Sequence, residues 1–210
     1  EFATHLVRES DVLLENFGAG VLDRLGLGYD AMQEINPSLV YCALKGFLSG
    51  PYEQRAALDE VVQMMGGLAY MTGPEGRPLR AGASVNDVMG GLFGVIAIQA
   101  ALWERQRTGK GAFVRSGLFE NNMFLIAQHM VQYRQTGVPA APMPDRVSAW
   151  AVYDTFETAD GEKIFVGVVS DKQWAQFCRS FGLDDLQHDT ELQTNAQRVA
   201  RRDAFMPRLS

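Results

Sequence analysis

The sequence has 210 residues, 47% of them hydrophobic, and a formal net charge of −6. This length and composition are typical of a soluble globular protein with one large domain or one and a half, and they allow a substantial buried core. A nucleic-acid partner is not expected, because a phosphate-binding surface needs a basic excess and the basic residues cluster only at Arg198, Arg201 and Arg202.

A membrane anchor, a disulfide scaffold and a metal site are not expected either. The apolar run from Val85 to Trp103 is interrupted by Asn86, Asp87 and three glycines. Cys42 and Cys178 match no disulfide or zinc spacing and suit a reducing cytosol, so we predict a cytoplasmic protein. The three histidines have no Ser, Cys or Asp partner at a recognisable spacing, so neither a hydrolase triad nor a metal site is supported.

Both ends of the sequence look cut. It starts inside a predicted helix that ends near Glu9, and it stops inside a charged, helix-like segment at Leu209 and Ser210. We therefore expect an internal piece of a longer protein.

The first elements alternate in β-α-β order, which predicts an α/β fold. They are a strand from Asp11 to Glu15, helices from Val21 to Leu25 and from Tyr29 to Asn36, and a strand from Leu39 to Leu44. A loop rich in glycine and proline then leads to a predicted helix from Leu58 to Met71.

Two long helices and a short strand come next. The helix from Ser84 to Thr108 is apolar nearly all round and is therefore expected to be buried, with Gly109 in the left-handed conformation at its end. A strand from Ala112 to Ser116 and a helix from Leu118 to Arg134, closed by Gly137, follow.

Residues 137–147 hold three prolines without periodicity and are predicted to be an interdomain linker. It separates a large domain, residues 1–136, from the start of a smaller α+β domain, residues 148–210. In the smaller domain the segments 151–158 and 163–169 form a hairpin around an Asp-Gly turn, and 171–181 is an amphipathic helix.

Two glycines and a few cations after the first strand raise the question of a phosphate site. The run from Glu15 to Gly20 lies between strand and helix, but Asp23 stands where a dinucleotide fingerprint needs its third glycine. A tight turn is the more common interpretation of such a run. Arg24, Lys45 and Arg55 could contact a phosphate-bearing ligand, but without further support ordinary surface cations are the favoured interpretation.

Asp87 has two possible roles. Ser84 followed by an acid three residues later resembles a capping box, and this pattern by itself favours a helix cap. However, the box prefers Glu or Gln, the neighbours are apolar, and Gly90, Gly91 and Gly94 remove side chains where a large ligand could approach. A carboxylate in such surroundings is poorly solvated and available as a nucleophile.

Four ordered blocks resemble the family III CoA-transferases, the relatives of formyl-CoA transferase and carnitine CoA-transferase. The blocks run from Asp11 to Gly26, from Asn36 to Phe47, from Gly82 to Gly94 and from Glu104 to Gly111. The resemblance implies the central part of a Rossmann-like large domain followed by a smaller domain, and a homodimer of interlocked chains. It also implies that a CoA thioester is a substrate and that no cofactor is tightly bound.

By the same resemblance Asp87 is the nucleophile, which forms a mixed anhydride with the acyl group and then an aspartyl-CoA thioester. Asn16, Phe17 and Arg24 are implied to line the CoA nucleotide. The remaining implied CoA contacts are Lys45 and Gly46, along the phosphate and pantetheine path.

Two alternatives remain beside a transferase that acts on a short or dicarboxylic acid. An α-methylacyl-CoA racemase of the same superfamily needs a His, but Leu58 stands at that position and cannot transfer a proton. The other alternative is a truncated, inactive CoA-binding fragment.

Overall fold

The computed structural model describes residues 2–146 and 148–209. Residues 1, 147 and 210, which bound the predicted domains and linker, lie outside the described residues. The chain forms two compact units, Glu1–Asp145 and Arg146–Ser210. The segment predicted as a linker is tied to the first unit, since the Met143 N–H donates to the Met71 carbonyl and the Tyr70 hydroxyl donates to the Ala140 carbonyl.

The first unit contains three strands and seven helices among its described residues. In chain order they are α1 Phe2–Arg8, β1 Val12–Glu15, α2 Val21–Arg24, α3 Tyr29–Ile35, β2 Val40–Lys45, α4 Asp59–Met65, α5 Leu68–Thr72, α6 Val85–Thr108, β3 Ala112–Gly117 and α7 Leu118–Thr136. The predicted α/β order is confirmed.

The three strands form a parallel sheet in the order β1-β2-β3. The central strand β2 is the most buried, because both of its faces are covered by helices. Tyr41 and Ala43 pack with Met32 of α3 on one face. Cys42 and Leu44 point to the opposite face, where they meet α6 at Gly94. The sheet with helices on both faces is the arrangement expected of a Rossmann-like domain.

Glycines let α6 approach its neighbours closely. A Cβ atom on Gly90 would lie 2.8 Å from Cδ2 of Leu118, and one on Gly94 would lie 2.9 Å from Cδ2 of Leu44. A Cβ atom on Gly91 would meet no atom within 4 Å. Gly90 and Gly94 therefore serve packing within the unit, and only Gly91 leaves open space beside the helix.

The prediction that α6 is buried is wrong for the described part of the chain. Its buried residues are Asn86, Gly90, Gly94 and Ala101, whereas an outward apolar row is exposed at Val88, Leu92, Ile96 and Trp103. By length and composition α6 could also span a membrane, but it packs along β2 and β3 as a core helix of an α/β domain does. The absence of a membrane anchor stays a prediction.

The predicted helix from Leu58 to Met71 is broken into α4 and α5. Gly67 has a φ of 84°, a left-handed conformation that interrupts the helix between α4 and α5. Gly66 packs so tightly that a Cβ atom there would lie 1.6 Å from Nδ2 of Asn122 on α7. Tertiary packing against α7 therefore accompanies a break that helical periodicity did not predict.

The second unit has its own core. It consists of β4 Val152–Glu157, β5 Lys163–Val168, α8 Asp171–Ser180, α9 Asp184–His188, α10 Asn195–Ala200, α11 Arg202–Phe205 and a 3₁₀ turn Met206–Arg208. The strands β4 and β5 form the predicted antiparallel hairpin, with Gly161 at φ 84° in its turn. Trp174 and Phe205 stack edge to face in the core.

Substitution of two glycines tests this packing. A Cβ atom on Gly111 would lie 1.9 Å from the Leu39 carbonyl oxygen, so we expect Gly111→Ala to lower the free energy of unfolding by about 2 kcal/mol or more. The matched change Gly91→Ala is expected to raise it by roughly 0.5–1 kcal/mol, because the helix position is open and alanine is the better helix former. Chemical denaturation of both variants measures the difference, and equal effects would contradict the packing described.

Candidate active site at the carboxyl edge of the sheet

The residues predicted to contact CoA lie where parallel strands end. Asn16 and Phe17 follow β1, Lys45 is the last residue of β2, and Gly46 follows it. Because parallel strands place their carboxyl ends at one edge of the sheet, these residues share that edge. Arg24 ends the short helix α2 that begins after the first of these loops.

The start of α6 lies at the same edge. The helix runs back to the beginning of β3, so its first turns are opposite the end of that strand. A hydrogen bond of 2.9 Å from the Ser116 hydroxyl to the Gly90 carbonyl connects the two. Asp87 therefore lies at the edge that also carries the predicted CoA contacts.

The Asp87 carboxylate reaches solvent and accepts no hydrogen bond from any residue between 2 and 146 or between 148 and 209. Its pKa is raised, first by partial burial and then by the negative charges of Asp59 and Glu60, while Arg80 opposes the rise. Arg80 is itself ion-paired with Glu60. The arrangement leaves a carboxylate whose charged form is poorly stabilised and whose lone pairs are free.

The capping box favoured by the sequence pattern does not form. Ser84 is the N-cap residue of α6, yet its side chain makes no cap hydrogen bond. Instead Oδ1 of Asp59, on α4, accepts hydrogen bonds from the backbone N–H groups of Asn86 at 2.7 Å and Asp87 at 3.3 Å. Sequence reasoning missed Asp59, because its partners lie 27 and 28 residues further along the chain.

Lys45 has a structural partner. Its Nζ lies 2.6 Å from Oε1 and 2.8 Å from Oε2 of Glu15, and it donates to the Phe17 carbonyl at 2.7 Å. Glu15, whose side chain is only 4% exposed, also accepts the Phe17 N–H. Glu15 therefore largely neutralises the charge of Lys45, and the contacts of Lys45 with Glu15 and Phe17 fix the shape of the loop after β1.

The loop after β2 is held by α7. The carboxylate of Glu120 accepts the Leu48 N–H at 3.1 and 3.2 Å, and the Phe119 N–H donates to the Gly46 carbonyl at 3.0 Å. A Cβ atom on Gly46 would lie 2.2 Å from Cβ of Ala57, so a glycine is required there by close packing.

A cavity of about 300 Å³ opens on the α3 side of the sheet. Its lining includes four carboxylates and the cations of Lys45 and Arg115, the carboxylates being Glu15, Asp23, Asp30 and Glu53. Burial, followed by the charges of Glu15 and Asp23, raises the pKa of Tyr41 to about 12. This negative environment does not favour a phosphate, so the cavity is a poor site for the anionic part of CoA.

Arg24 is better placed to meet an anion. Its guanidinium has no carboxylate partner among the residues that the structure describes, and its Nη1 lies 3.2 Å from the position of a Cβ atom on Gly20. Within the described ranges no group of three or more His, Cys, Asp or Glu side chains could hold a metal ion.

Sequence comparison identifies relatives over the whole chain. The sequence model described as CoA-transferase family III matches residues 1–210. The chain is 35% identical over 199 residues to a succinate–glutarate CoA-transferase of Agrobacterium fabrum, covering 94% of this chain and 50% of the relative. It is 34% identical to a succinyl-CoA:glutarate CoA-transferase of Mus musculus, covering 95% of this chain and 46% of the relative.

The fold is similar to that of solved structures. A CAIB/BAIF family protein from Brucella suis superposes with a TM-score of 0.84 at 37% sequence identity, over 99% of this chain and 55% of that protein. The chain thus spans about half the length of the relatives that it matches.

The raised pKa of Asp87 predicts an effect on stability. A carboxyl whose pKa is higher in the folded state than in the unfolded state favours folding when protonated and opposes it once the pH rises through the folded-state pKa. We therefore expect Asp87→Asn to unfold at a temperature no lower than the parent protein at pH 7, with the difference shrinking as the pH falls through the folded-state pKa and absent below about pH 4. Thermal unfolding measured against pH tests this, and a clear destabilisation by Asp87→Asn at pH 7 would contradict it.

Proposed function

This chain belongs to the CoA-transferase family III, and we propose that the protein containing it moves CoA from an acyl-CoA to a carboxylic acid through Asp87. The observation that carries the proposal is the carboxylate at the start of α6, which is open to solvent, has a raised pKa and accepts no hydrogen bond from the described residues. Because the chain covers about half of its relatives, the activity is proposed for the full-length protein.

The first half of the reaction transfers the acyl group and then CoA to Asp87. A carboxylate oxygen attacks the thioester carbonyl, the carbon–sulfur bond breaks, and the CoA thiolate leaves a mixed anhydride. The thiolate then attacks the aspartyl carbonyl, the anhydride carbon–oxygen bond breaks, and the donor acid departs as a carboxylate. The enzyme now carries an aspartyl-CoA thioester.

The second half repeats these steps with the acceptor. Its carboxylate attacks the aspartyl carbonyl and expels the thiolate, which attacks the acceptor carbonyl of the new anhydride. The products are a new acyl-CoA and a free Asp87 carboxylate, so the thioester energy is kept without hydrolysis. The raised pKa of Asp87 supports this chemistry, because a carboxylate whose charge is poorly stabilised is a better nucleophile when ionised.

The acceptor is proposed to be a dicarboxylic acid. The relative from Agrobacterium fabrum is named for succinate and glutarate, the one from Mus musculus for succinyl-CoA and glutarate, and another, from Acetobacter aceti, for oxalate. The racemase has less support, since Leu58 is an apolar, 68% exposed residue before α4 and has no proton to exchange.

CoA is proposed to lie across the carboxyl edge of the sheet. Arg24, free of carboxylate partners in the described chain, contacts a phosphate of the nucleotide, and Asn16 and Phe17 line the nucleotide beside it. Lys45 and Gly46 are proposed to line the phosphate and pantetheine path. For Lys45 the contribution is mainly the loop shape that its contact with Glu15 fixes.

The full-length protein is proposed to be an interlocked homodimer in the cytoplasm without a tightly bound cofactor. The exposed apolar row on α6 supports further protein contacts, and so does Phe124 of α7, which is 67% exposed. Assays therefore require the full-length polypeptide.

Chemical trapping tests the role of Asp87. When the full-length protein is incubated with succinyl-CoA and hydroxylamine, we expect the amine to attack the aspartyl thioester and leave a hydroxamate on Asp87, which mass spectrometry detects. Asp87→Asn should lose transfer activity by at least about 10³-fold, as removal of a covalent nucleophile does. An unmodified Asp87 in a fully active protein would overturn the mechanism, and deuterium entering the α-carbon without CoA exchange would favour the racemase.

Two cation substitutions separate ligand binding from structure. We expect Arg24→Met to raise the KM for acyl-CoA roughly tenfold with little change in stability, because it removes one charge-assisted contact. Lys45→Met should instead lower the free energy of unfolding by about 2 kcal/mol or more, because Glu15 loses its counter-ion while buried. Steady-state kinetics and chemical denaturation of both variants provide the readouts, and a KM unchanged in Arg24→Met would remove Arg24 from the CoA site.

A further inference from the structure

The carboxylate of Asp59 replaces the missing cap of α6. It is the first residue of α4, is 4% exposed, and accepts two backbone N–H groups from the first turn of α6, those of Asn86 and Asp87. Such N–H groups have no partner inside their own helix, and an ionised carboxylate is a strong acceptor for them.

Gln63, one turn further along α4, completes a clamp on the same segment. Its Nε2 donates to Oδ2 of Asp59, while its Oε1 accepts the Ala81 N–H at 2.7 Å. Gln63 is fully buried. Each of the four side-chain polar atoms in this pair therefore has an assigned partner, and together they hold the chain both before and within the first turn of α6.

The clamp holds the backbone of Asp87 and makes no hydrogen bond to its carboxylate. A hydrogen bond to the Asp87 N–H restrains the backbone from which its side chain projects, and the carboxylate oxygens stay free of donors from the described chain. Asp59 is also the first of the two charges that raise the pKa of Asp87. A carboxylate with a higher pKa is a stronger nucleophile when ionised.

We propose that Asp59, held by Gln63, is a positioning residue that sets the attack geometry of Asp87. This role rests on the proposed function, in which Asp87 is the nucleophile. Asp59 acts through the backbone of α6 and contacts no reacting atom.

A charge transposition tests the proposal in the full-length protein with succinyl-CoA and glutarate. In Asp59→Asn the side-chain oxygen still accepts from the N–H groups of α6, but the new Nδ2 replaces the acceptor of the Gln63 Nε2 group, so that two donors face each other. The Gln63 amide cannot turn over to relieve this, because its Oε1 accepts the Ala81 N–H. We expect kcat to fall roughly 10- to 100-fold with the KM for succinyl-CoA within about twofold. The double variant Asp59→Asn with Gln63→Glu restores a donor facing an acceptor, and kcat should return to within about threefold of the parent.

Glu60→Gln is the control for charge alone. It removes a carboxylate from α4 that raises the pKa of Asp87 but bonds no backbone group of α6. We expect its kcat at high pH to stay within about twofold of the parent, while the acid limb of its pH profile moves to lower pH. In Asp59→Asn the acid limb should move the same way, and kcat should also fall.

The outcomes separate the two proposals. Normal trapping at Asp87 with kcat unchanged in Asp59→Asn would overturn the positioning role and leave the transferase mechanism intact. A double variant that regains its melting temperature but not its kcat would also overturn it, since Asp59 would then act only on stability. Absence of trapping in the parent protein would overturn both proposals. If the double variant regains its kcat while the acid limb of its pH profile stays at the lower pH, the result supports positioning through geometry.

Discussion

The free N–H groups at the start of α6 need an acceptor, and the buried carboxylate of Asp59 provides it. This contact joins α4 to the helix that covers β2 and β3, so the position of α6 on the sheet and the direction of Asp87 are fixed together. Gly90 and Gly94 contribute from the other side, because only hydrogen atoms at these positions allow the helix to lie so close to Leu118 and Leu44.

Features with a local cause were predictable from the sequence. Gly109 and Gly137 both end long helices with a φ of 70°, as expected from a glycine after a helical pattern. The strand boundaries are correct to within about one residue, because short apolar runs between turn residues are distinctive. The Asp-Gly turn between β4 and β5 was likewise predictable from its own residues.

Features that depend on distant partners were not predictable. The break at Gly67 accompanies the packing of Gly66 against Asn122, and the cap of α6 depends on Asp59, so neither feature can be recognised from its own segment. The exposure of α6 was missed because an apolar helix sequence does not show which of its faces the fold covers. The local pattern was also insufficient for Asp87, because it favoured a capping box that does not form. Asp87 was selected as the candidate nucleophile only through the ordered blocks that resemble the family.

The pairing of Lys45 with buried Glu15 has a consequence for behaviour in salt. Ions in solution screen charges that face water, but they act weakly on a pair in which one partner is 4% exposed. The loop after β1 therefore keeps its shape at high ionic strength, whereas the attraction of the solvent-facing Arg24 for an anion weakens. Ionic strength is thus expected to change how strongly the proposed CoA site attracts a phosphate, while the loop after β1 within that site keeps its shape.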